Sequence, residues 1–128
     1  MLQLSQRAVA ELIIGVVRDP VYGFALTIGA GGILTELLED SATLLIPASR
    51  ASVRQAIQGL RVNKLLSGYR GKPAANLDVV LDAIEAVQRF TSANAATLEE
   101  LDINPLIVTN SAAVAVDALI VLRDEAQS

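Results

Sequence analysis

The stretch LDINPLIVTNSAAVAVDALIVL, residues 101–122, contains two apolar runs separated by a short polar interruption. It predicts a closing β-hairpin, with strands over 101–108 and 113–121 joined by a Thr-Asn-Ser turn. Within these apolar runs stand three oxygen-bearing side chains: Asp102, Asn104 and Asp117. Such groups are costly in a sheet core unless a turn, a salt bridge or a metal ion satisfies them.

The spacing of these three residues leaves two interpretations open. Asp102 and Asn104 lie two positions apart, so their side chains share one face of a strand. If the strands pair around the turn, Asn104 and Asp117 lie almost opposite each other. Two facing oxygen ligands suit Mg²⁺, which takes one or two carboxylates plus phosphates and waters. The alternative is a polar cross-strand pair on a solvated sheet face.

Two further strands are predicted in the N-terminal part of the chain. Residues 10–19, AELIIGVVRD, are dense in apolar side chains and predict a strand that is buried on both faces. The turn residues 20–23 and the run 24–30 complete a hairpin, and 43–47 predicts another short strand. No partner strand is predicted before residue 10. We therefore expect the chain to begin inside a larger unit, with its first strand as an exposed edge or a homodimer surface.

Helix signals occupy the middle of the chain. Ser49 is a predicted N-cap for a helix that ends near Gly59, and a short helical piece over 62–68 follows. Asn76 caps the clearest helix, whose apolar face carries Leu77, Val80, Leu81, Ile84 and Val87. The order of strands, helices and strands predicts one α+β domain over residues 1–128, with a mainly antiparallel sheet packed by helices.

A glycine cluster and two arginines are candidates for anion binding. Glycines in IGAGGI, residues 28–33, allow close approach of a ligand to the backbone, but they equally suit a β-bulge or a tight turn. Arg18 and Arg70 could each hold a phosphate or carboxylate, or be ordinary surface arginines.

Composition removes several kinds of chemistry. The 128 residues include no Cys and no His, which excludes thiolate and imidazole ligands, Cys nucleophiles and Ser-His triads. The net charge of −4 and the lack of a basic run argue against nucleic-acid binding. Apolar runs are too short for a membrane span, so we expect a soluble cytoplasmic protein.

The succession of motifs resembles a known family. The order ELIIGVVRDPVYGFALTIGAGGILTELLEDSATLLIP, LLSGYRGKPAANLD, LEELDINPLIV and AVAVDALI is similar to the C-terminal part of the ATP-grasp domain of NDP-forming acyl-CoA synthetases, also called ADP-forming acetate–CoA ligases. It is also similar to the β-subunit of succinyl-CoA synthetase. The resemblance runs from about residue 10 to residue 122.

This resemblance implies a role for particular residues. By the family pattern, Asn104 and Asp117 bind the Mg²⁺ of ATP or ADP, and Asp102 lies beside them. Arg18, Gly31 and Gly32 are implied on the phosphate side of the cleft. Phosphoryl transfer needs mainly positioning and charge neutralisation, which a metal and a few donors can provide.

The departures from the family limit what this chain can do alone. The first half of the ATP-grasp domain and the CoA-binding and ligase domains are absent, and the phosphohistidine of the family cannot come from a chain without His. We therefore expect a C-terminal lobe that is inactive in isolation and that works with the remaining domains or subunit. The alternatives are a non-catalytic remnant that acts as a subunit-interaction module, and the same module from a fused acyltransferase.

Overall fold

The computed structural model describes residues 8–31, 40–68, 71 and 73–124. Strands precede and follow a group of helices, which confirms the predicted α+β class. In chain order the elements are β1 (Ala10–Asp19), β2 (Gly23–Ala30), β3 (Ser41–Ile46), α1 (Arg50–Gln58), α2 (Asn63–Leu66), α3 (Leu77–Ala93), β4 (Leu98–Val108), β5 (Ala113–Ala115) and β6 (Ala118–Leu122).

The six strands form one antiparallel sheet in the order β3-β2-β1-β4, and β5 and β6 both pair with the outer edge of β4. β1 is therefore a central strand with a partner on each side. The prediction that β1 forms an exposed edge is wrong, because β4, from the far end of the sequence, supplies its second partner. The exposed edges of the described sheet are β3 on one side and β5 with β6 on the other.

Only one face of β1 is buried. Ala10, Leu12, Ile14 and Val16 are buried, whereas the alternate residues of the strand are half-buried or exposed. The prediction of burial on both faces is wrong because, in the described part of the chain, the helices cover a single face. We call the other surface the open face, formed by Glu11, Ile13, Gly15 and Val17 of β1, Ala25 and Thr27 of β2, Thr43 and Leu45 of β3, Glu100 and Asp102 of β4, and Leu119 and Val121 of β6.

The helices cover the buried face and begin where the sequence predicts. The Ser49 hydroxyl accepts the N–H of Ser52 at 3.1 Å, and the Asn76 side chain accepts the N–H of Asp78 at 3.0 Å. The predicted apolar face of α3 packs into the core with buried side chains of the strands and of α1. None of the helices in the described part has the length and apolar character needed to cross a bilayer.

Two buried polar side chains attach loops to this core. The amide of Gln88 in α3 pairs with the backbone of Ala48: Oε1 accepts the Ala48 N–H at 2.7 Å, and Nε2 donates to the Ala48 carbonyl at 3.1 Å. The Asp40 carboxylate accepts the N–H groups of Arg61 and Val62 at 2.7 and 2.8 Å. The sheet and the helical layer are therefore joined by hydrogen bonds as well as by apolar packing.

The turn between β1 and β2 is held by Asp19. Its Oδ1 accepts the N–H of Val21 at 2.7 Å and the N–H of Tyr22 at 2.8 Å. The bond from Tyr22 has the larger effect and the bond from Val21 the smaller one. Both hold the pKa of Asp19 below its ordinary value because they stabilise the charged carboxylate. Gly23 follows with a φ of 98°, which closes the turn in a conformation that other residues rarely adopt.

Candidate functional site

The candidate site lies where β4 departs from regular geometry. Leu12 pairs with Leu106 and Ile14 pairs with Ile103, so Asn104 and Pro105 together face the single residue Ile13. This arrangement is a β-bulge, in which one strand carries an extra residue. A proline suits such a position because it has no N–H to donate to the ladder.

The same irregularity divides the last strand. The sequence predicts one strand over 113–121, whereas the structure has β5 and β6 with a break at Val116 and Asp117. Pro105 cannot donate to the facing strand, but its carbonyl accepts the N–H of Val116 at 3.0 Å. Next to it, the N–H of Asn104 donates to the carbonyl of Asp117 at 3.1 Å. The predicted facing of Asn104 and Asp117 is therefore present in the backbone.

Side chains from β4, from the break before β6 and from the start of β6 line one cleft at this point. The cleft has a volume of about 370 Å³ and is lined by Asp102, Asn104, Asp117, Ala118 and Leu119. The three residues that the sequence singles out are thus brought together. Ala118 and Leu119 carry no polar signal in the sequence, and their place in the cleft follows only from the pairing of β6 with β4.

These three oxygen-bearing side chains have no partners within the described chain. Neither a hydrogen bond nor an ion pair joins the side chains of Asp102, Asn104 or Asp117 to another described residue. Asp102 is half-buried, and the other two are exposed. Two carboxylates and one amide oxygen are hard ligands of the type that Mg²⁺ prefers, and Mg²⁺ usually adds phosphate oxygens and waters to so few protein ligands. The donor set therefore fits Mg²⁺.

The described residues contain no group of three or more His, Cys, Asp or Glu side chains that could hold a metal ion. The cleft offers only two carboxylates, and its third oxygen is an amide. Such a set is too small to enclose a divalent cation without further ligands. A metal at this position would need oxygens from a bound nucleotide or from water.

Arg18 lies on the other side of the sheet. Its partner in β2 is the buried Phe24, and its guanidinium stands 4.7 Å from the centre of that ring. Its Nε donates to the carbonyl of Leu98 at 3.0 Å and lies 3.3 Å from Glu99 Oε1, and its Nη2 donates to the carbonyl of Ala95. Arg18 shares a face with Val16 and Phe24, whereas Asp102 is on the open face. The structure does not bring Arg18 together with the three cleft residues.

Arg18 also belongs to a second cleft, of about 540 Å³, at the end of the first hairpin. Glu99 stands between two arginines there, because Nε of Arg123 lies 3.6 Å from the same Oε1 that Arg18 approaches. Arg123 also donates to the carbonyl of Ala96 at 3.2 Å. The sequence does not reveal this grouping, because its members come from three separate segments.

Gly31 follows β2 and lies against the beginning of β1. Its N–H donates to the carbonyl of Glu11 at 2.7 Å. A Cβ at this position would stand 3.0 Å from the Cβ, C and O atoms of Glu11, so a larger residue would push the two backbones apart by a few tenths of an ångström. Gly32 and Arg70 lie outside the described residues.

Comparison with known proteins relates this arrangement to a family. The family model of the ATP-grasp domain matches residues 1–122. The chain is 34% identical over 115 residues to the β-subunit of ADP-forming acetate–CoA ligase II from Pyrococcus furiosus, and this match covers 88% of the chain and 49% of the relative. It is 30% identical over 108 residues to the ADP-forming acetate–CoA ligase of Methanocaldococcus jannaschii, covering 84% of the chain and 15% of the relative.

Solved structures similar to this chain include a related synthetase. The dinucleotide-forming acetyl-CoA synthetase 1 of Ca. Korarchaeum cryptofilum, solved with coenzyme A and Mg-AMPPCP, superposes with a TM-score of 0.83 at 34% identity, over 89% of this chain and 53% of that one. A protein from Pyrococcus horikoshii gives a TM-score of 0.83 at 34% identity, with 48% of that chain covered. The chain thus spans about half the length of the β-subunit relatives, with 49% and 48% covered in the two from Pyrococcus furiosus.

The resemblance drawn from the sequence is confirmed, and so is the fold that it implied. The family match extends over nearly the whole chain, and the related structures share its antiparallel sheet and helices. The chain belongs to the ATP-grasp domain family.

Proposed function

We propose that this chain is the Mg²⁺–nucleotide-binding lobe of an ADP-forming acyl-CoA synthetase. The observation that carries the proposal is the cleft in which Asp102, Asn104 and Asp117 present oxygen atoms without partners in the described chain. A related synthetase has been solved with Mg-AMPPCP, which supports a metal–nucleotide ligand for the same fold.

The proposed roles follow from the chemistry of each side chain. Asp117 and Asn104 come from facing backbone positions and would hold the cation between them, while Asp102 adds negative charge from the open face. When bound, Mg²⁺ neutralises charge on the phosphates of ATP or ADP. Gly31 and Gly32 remain predicted phosphate-side residues, whereas Arg18, on the opposite face of the sheet from the cleft, has no part in this proposal.

The rest of the reaction would come from outside these 128 residues. The chain has no histidine, so a phosphohistidine would be supplied by another domain or subunit. Acyl-CoA formation is therefore a property that we propose for the assembled enzyme. The isolated chain should form no acyl-CoA from ATP, CoA and a carboxylic acid, and measurable turnover by it would contradict this division of labour.

The test of nucleotide binding is an amide NMR titration of the chain with Mg·ATP, and with Mn²⁺ as a paramagnetic probe. We expect shifts and line broadening at Asn104 and Asp117, with affinity reduced by about tenfold or more in Asn104→Ala and Asp117→Asn. Glu100→Gln is the matched control, because Glu100 is an exposed carboxylate on β4 outside the cleft. Absence of any response at millimolar nucleotide would overturn the proposal.

A second candidate role, subunit interaction, is favoured by the apolar edge at β6. All five residues of β6 are exposed, including Leu119 at 57% and Leu122 at 59%. In the described sheet β6 pairs only with β4, so its outer edge offers unpaired backbone groups. We propose a second copy as the partner, because antiparallel pairing about Ile120 would place Asp117 of each chain opposite Arg123 of the other.

This role is tested by light scattering or sedimentation over a range of protein concentrations. We expect concentration-dependent dimers that Ile120→Lys abolishes, since a lysine at an edge strand opposes strand addition. Val21→Lys is the control, because Val21 is 77% exposed in the turn after β1. A chain that stays monomeric at every concentration would exclude the second role.

A further inference from the structure

Gly15 is an unexpected residue at its position. It lies within β1, the central strand of the sheet, and pairs with Thr27 on one side and with Asp102 on the other. Glycine weakens the interior of a strand because it loses much backbone freedom on folding and has no side chain to pack. The predictions made from the sequence do not include Gly15, although a glycine among Ile and Val residues is itself a signal.

Nothing in the described chain explains the glycine. Its φ does not lie in the positive range, and a Cβ built on it meets no atom within 4 Å. The bulge between β1 and β4 falls at Ile13, and pairing at Gly15 is regular on both sides. Two of the usual reasons for a strand glycine, a bulge and a bend, are therefore absent here. The remaining reason is the close approach of a ligand or of another backbone.

The neighbours of Gly15 indicate whether a ligand or another backbone lies against it. Paired residues of a sheet share a face, so Gly15 lies on the open face between the carboxylate of Asp102 and the hydroxyl of Thr27. The row continues to Thr43, whose Oγ1 is 3.3 Å from that of Thr27. On the other side of Asp102 the row ends at Leu119. The side chains that flank Gly15 directly are thus a hydroxyl and a carboxylate, which suit a polar ligand. Asp102 also lines the cleft of the candidate metal site.

We infer that Gly15 is the floor of the nucleotide site, where the sugar–phosphate part of a metal-bound nucleoside polyphosphate passes over the sheet. The inference rests on the proposed function. A side chain at position 15 would stand about 5 Å from the Cβ of Asp102, in the space next to the metal ligands. Gly15 is thus a positioning residue, which acts by leaving room for the ligand.

The experiment compares Gly15→Ala and Gly15→Val with Gly59→Ala. Gly59 caps α1 with a φ of −81°, and a Cβ added to it would make an ordinary contact of 3.6 Å, so it is a matched glycine in the helical layer. For each variant we measure the melting temperature, the affinity for Mn²⁺ alone and the affinity for Mg·ATP. We expect Gly15→Val to weaken Mg·ATP binding by about tenfold or more, with Gly15→Ala between it and the wild type.

The melting temperature and the Mn²⁺ affinity distinguish a steric block of the nucleotide from a destabilised fold or a damaged metal site. The melting temperature of both Gly15 variants should equal or exceed that of the wild type, and Mn²⁺ affinity should stay within about twofold because the metal ligands are intact. Gly59→Ala should leave both affinities unchanged. A lower melting temperature, or an equal loss of Mn²⁺ and Mg·ATP binding, would contradict the inference.

The failure of the inference is distinct from the failure of the proposed function. If the wild type binds Mg·ATP and Gly15→Val binds it equally well, Gly15 is not the floor of the site, while the metal–nucleotide proposal stands. If the wild type binds no Mg·ATP at millimolar concentration, both are overturned.

Discussion

Replacing Gln88 by leucine should destabilise the chain through two hydrogen bonds. Gln88 is 8% exposed in α3, and its amide both accepts from and donates to the half-buried backbone of Ala48. Leucine keeps the bulk of the side chain but leaves the Ala48 N–H and carbonyl without these partners. Two bonds at about 0.5–1.5 kcal/mol each predict a loss of about 1–3 kcal/mol in the free energy of unfolding.

The assay is urea denaturation followed by circular dichroism, together with thermal melting. For a domain of this size the loss corresponds to a fall in melting temperature of roughly 4–12 °C. Gln55→Leu is the matched control, because Gln55 is exposed on α1. If the two variants unfold at the same urea concentration, the pairing of Gln88 with Ala48 contributes nothing, and the reasoning is refuted.

Two further predictions concern charged groups. The pKa of Asp19 is depressed in the folded chain, so its contribution to stability is present above the unfolded pKa of about 3.9 and is lost as the pH falls through the lower folded pKa. The melting temperature of Asp19→Asn should therefore fall less between pH 5 and pH 3 than that of the wild type. Parallel pH profiles of the two melting temperatures would count against this. Arg50 donates hydrogen bonds to Glu85 and Asp82 of α3 at 2.9 Å each, so Arg50→Met should lower the melting temperature slightly, and by less in high salt. The control Arg89→Met should leave the melting temperature unchanged. An effect of Arg50→Met that is independent of salt would exclude an electrostatic origin.

The parts of the fold with local signals could be predicted from the sequence. The caps at Ser49 and Asn76 and the 3.6-residue spacing of apolar side chains located α1 and α3. Counting outward from a short turn placed Asn104 and Asp117 opposite each other. These predictions need only neighbouring residues, because caps, apolar spacing and short turns are signals within a few positions of one another.

The position of β1 could not be predicted in the same way. Ile13 and Val17 are apolar, so the run that contains them indicates burial on both faces, yet both side chains lie on the open face. The second partner of β1 is β4, which follows three intervening helices, and no local pattern specifies that pairing. Local sequence therefore predicts the strand but neither its neighbours nor the face that the helices cover.

The bulge at Asn104 and Pro105 connects the packing of the sheet to the candidate site. Ile103 and Leu106 both face the helices although they are three residues apart, whereas side chains at that spacing in a regular strand point to opposite faces. The extra residue restores the alternation, so that Leu106 and Val108 remain in the core. Because Pro105 has no N–H to donate, the same bulge interrupts the ladder where Asp117 stands. One local irregularity thus keeps the core intact and opens the edge of the sheet, which is where oxygen ligands can face a cation without being buried.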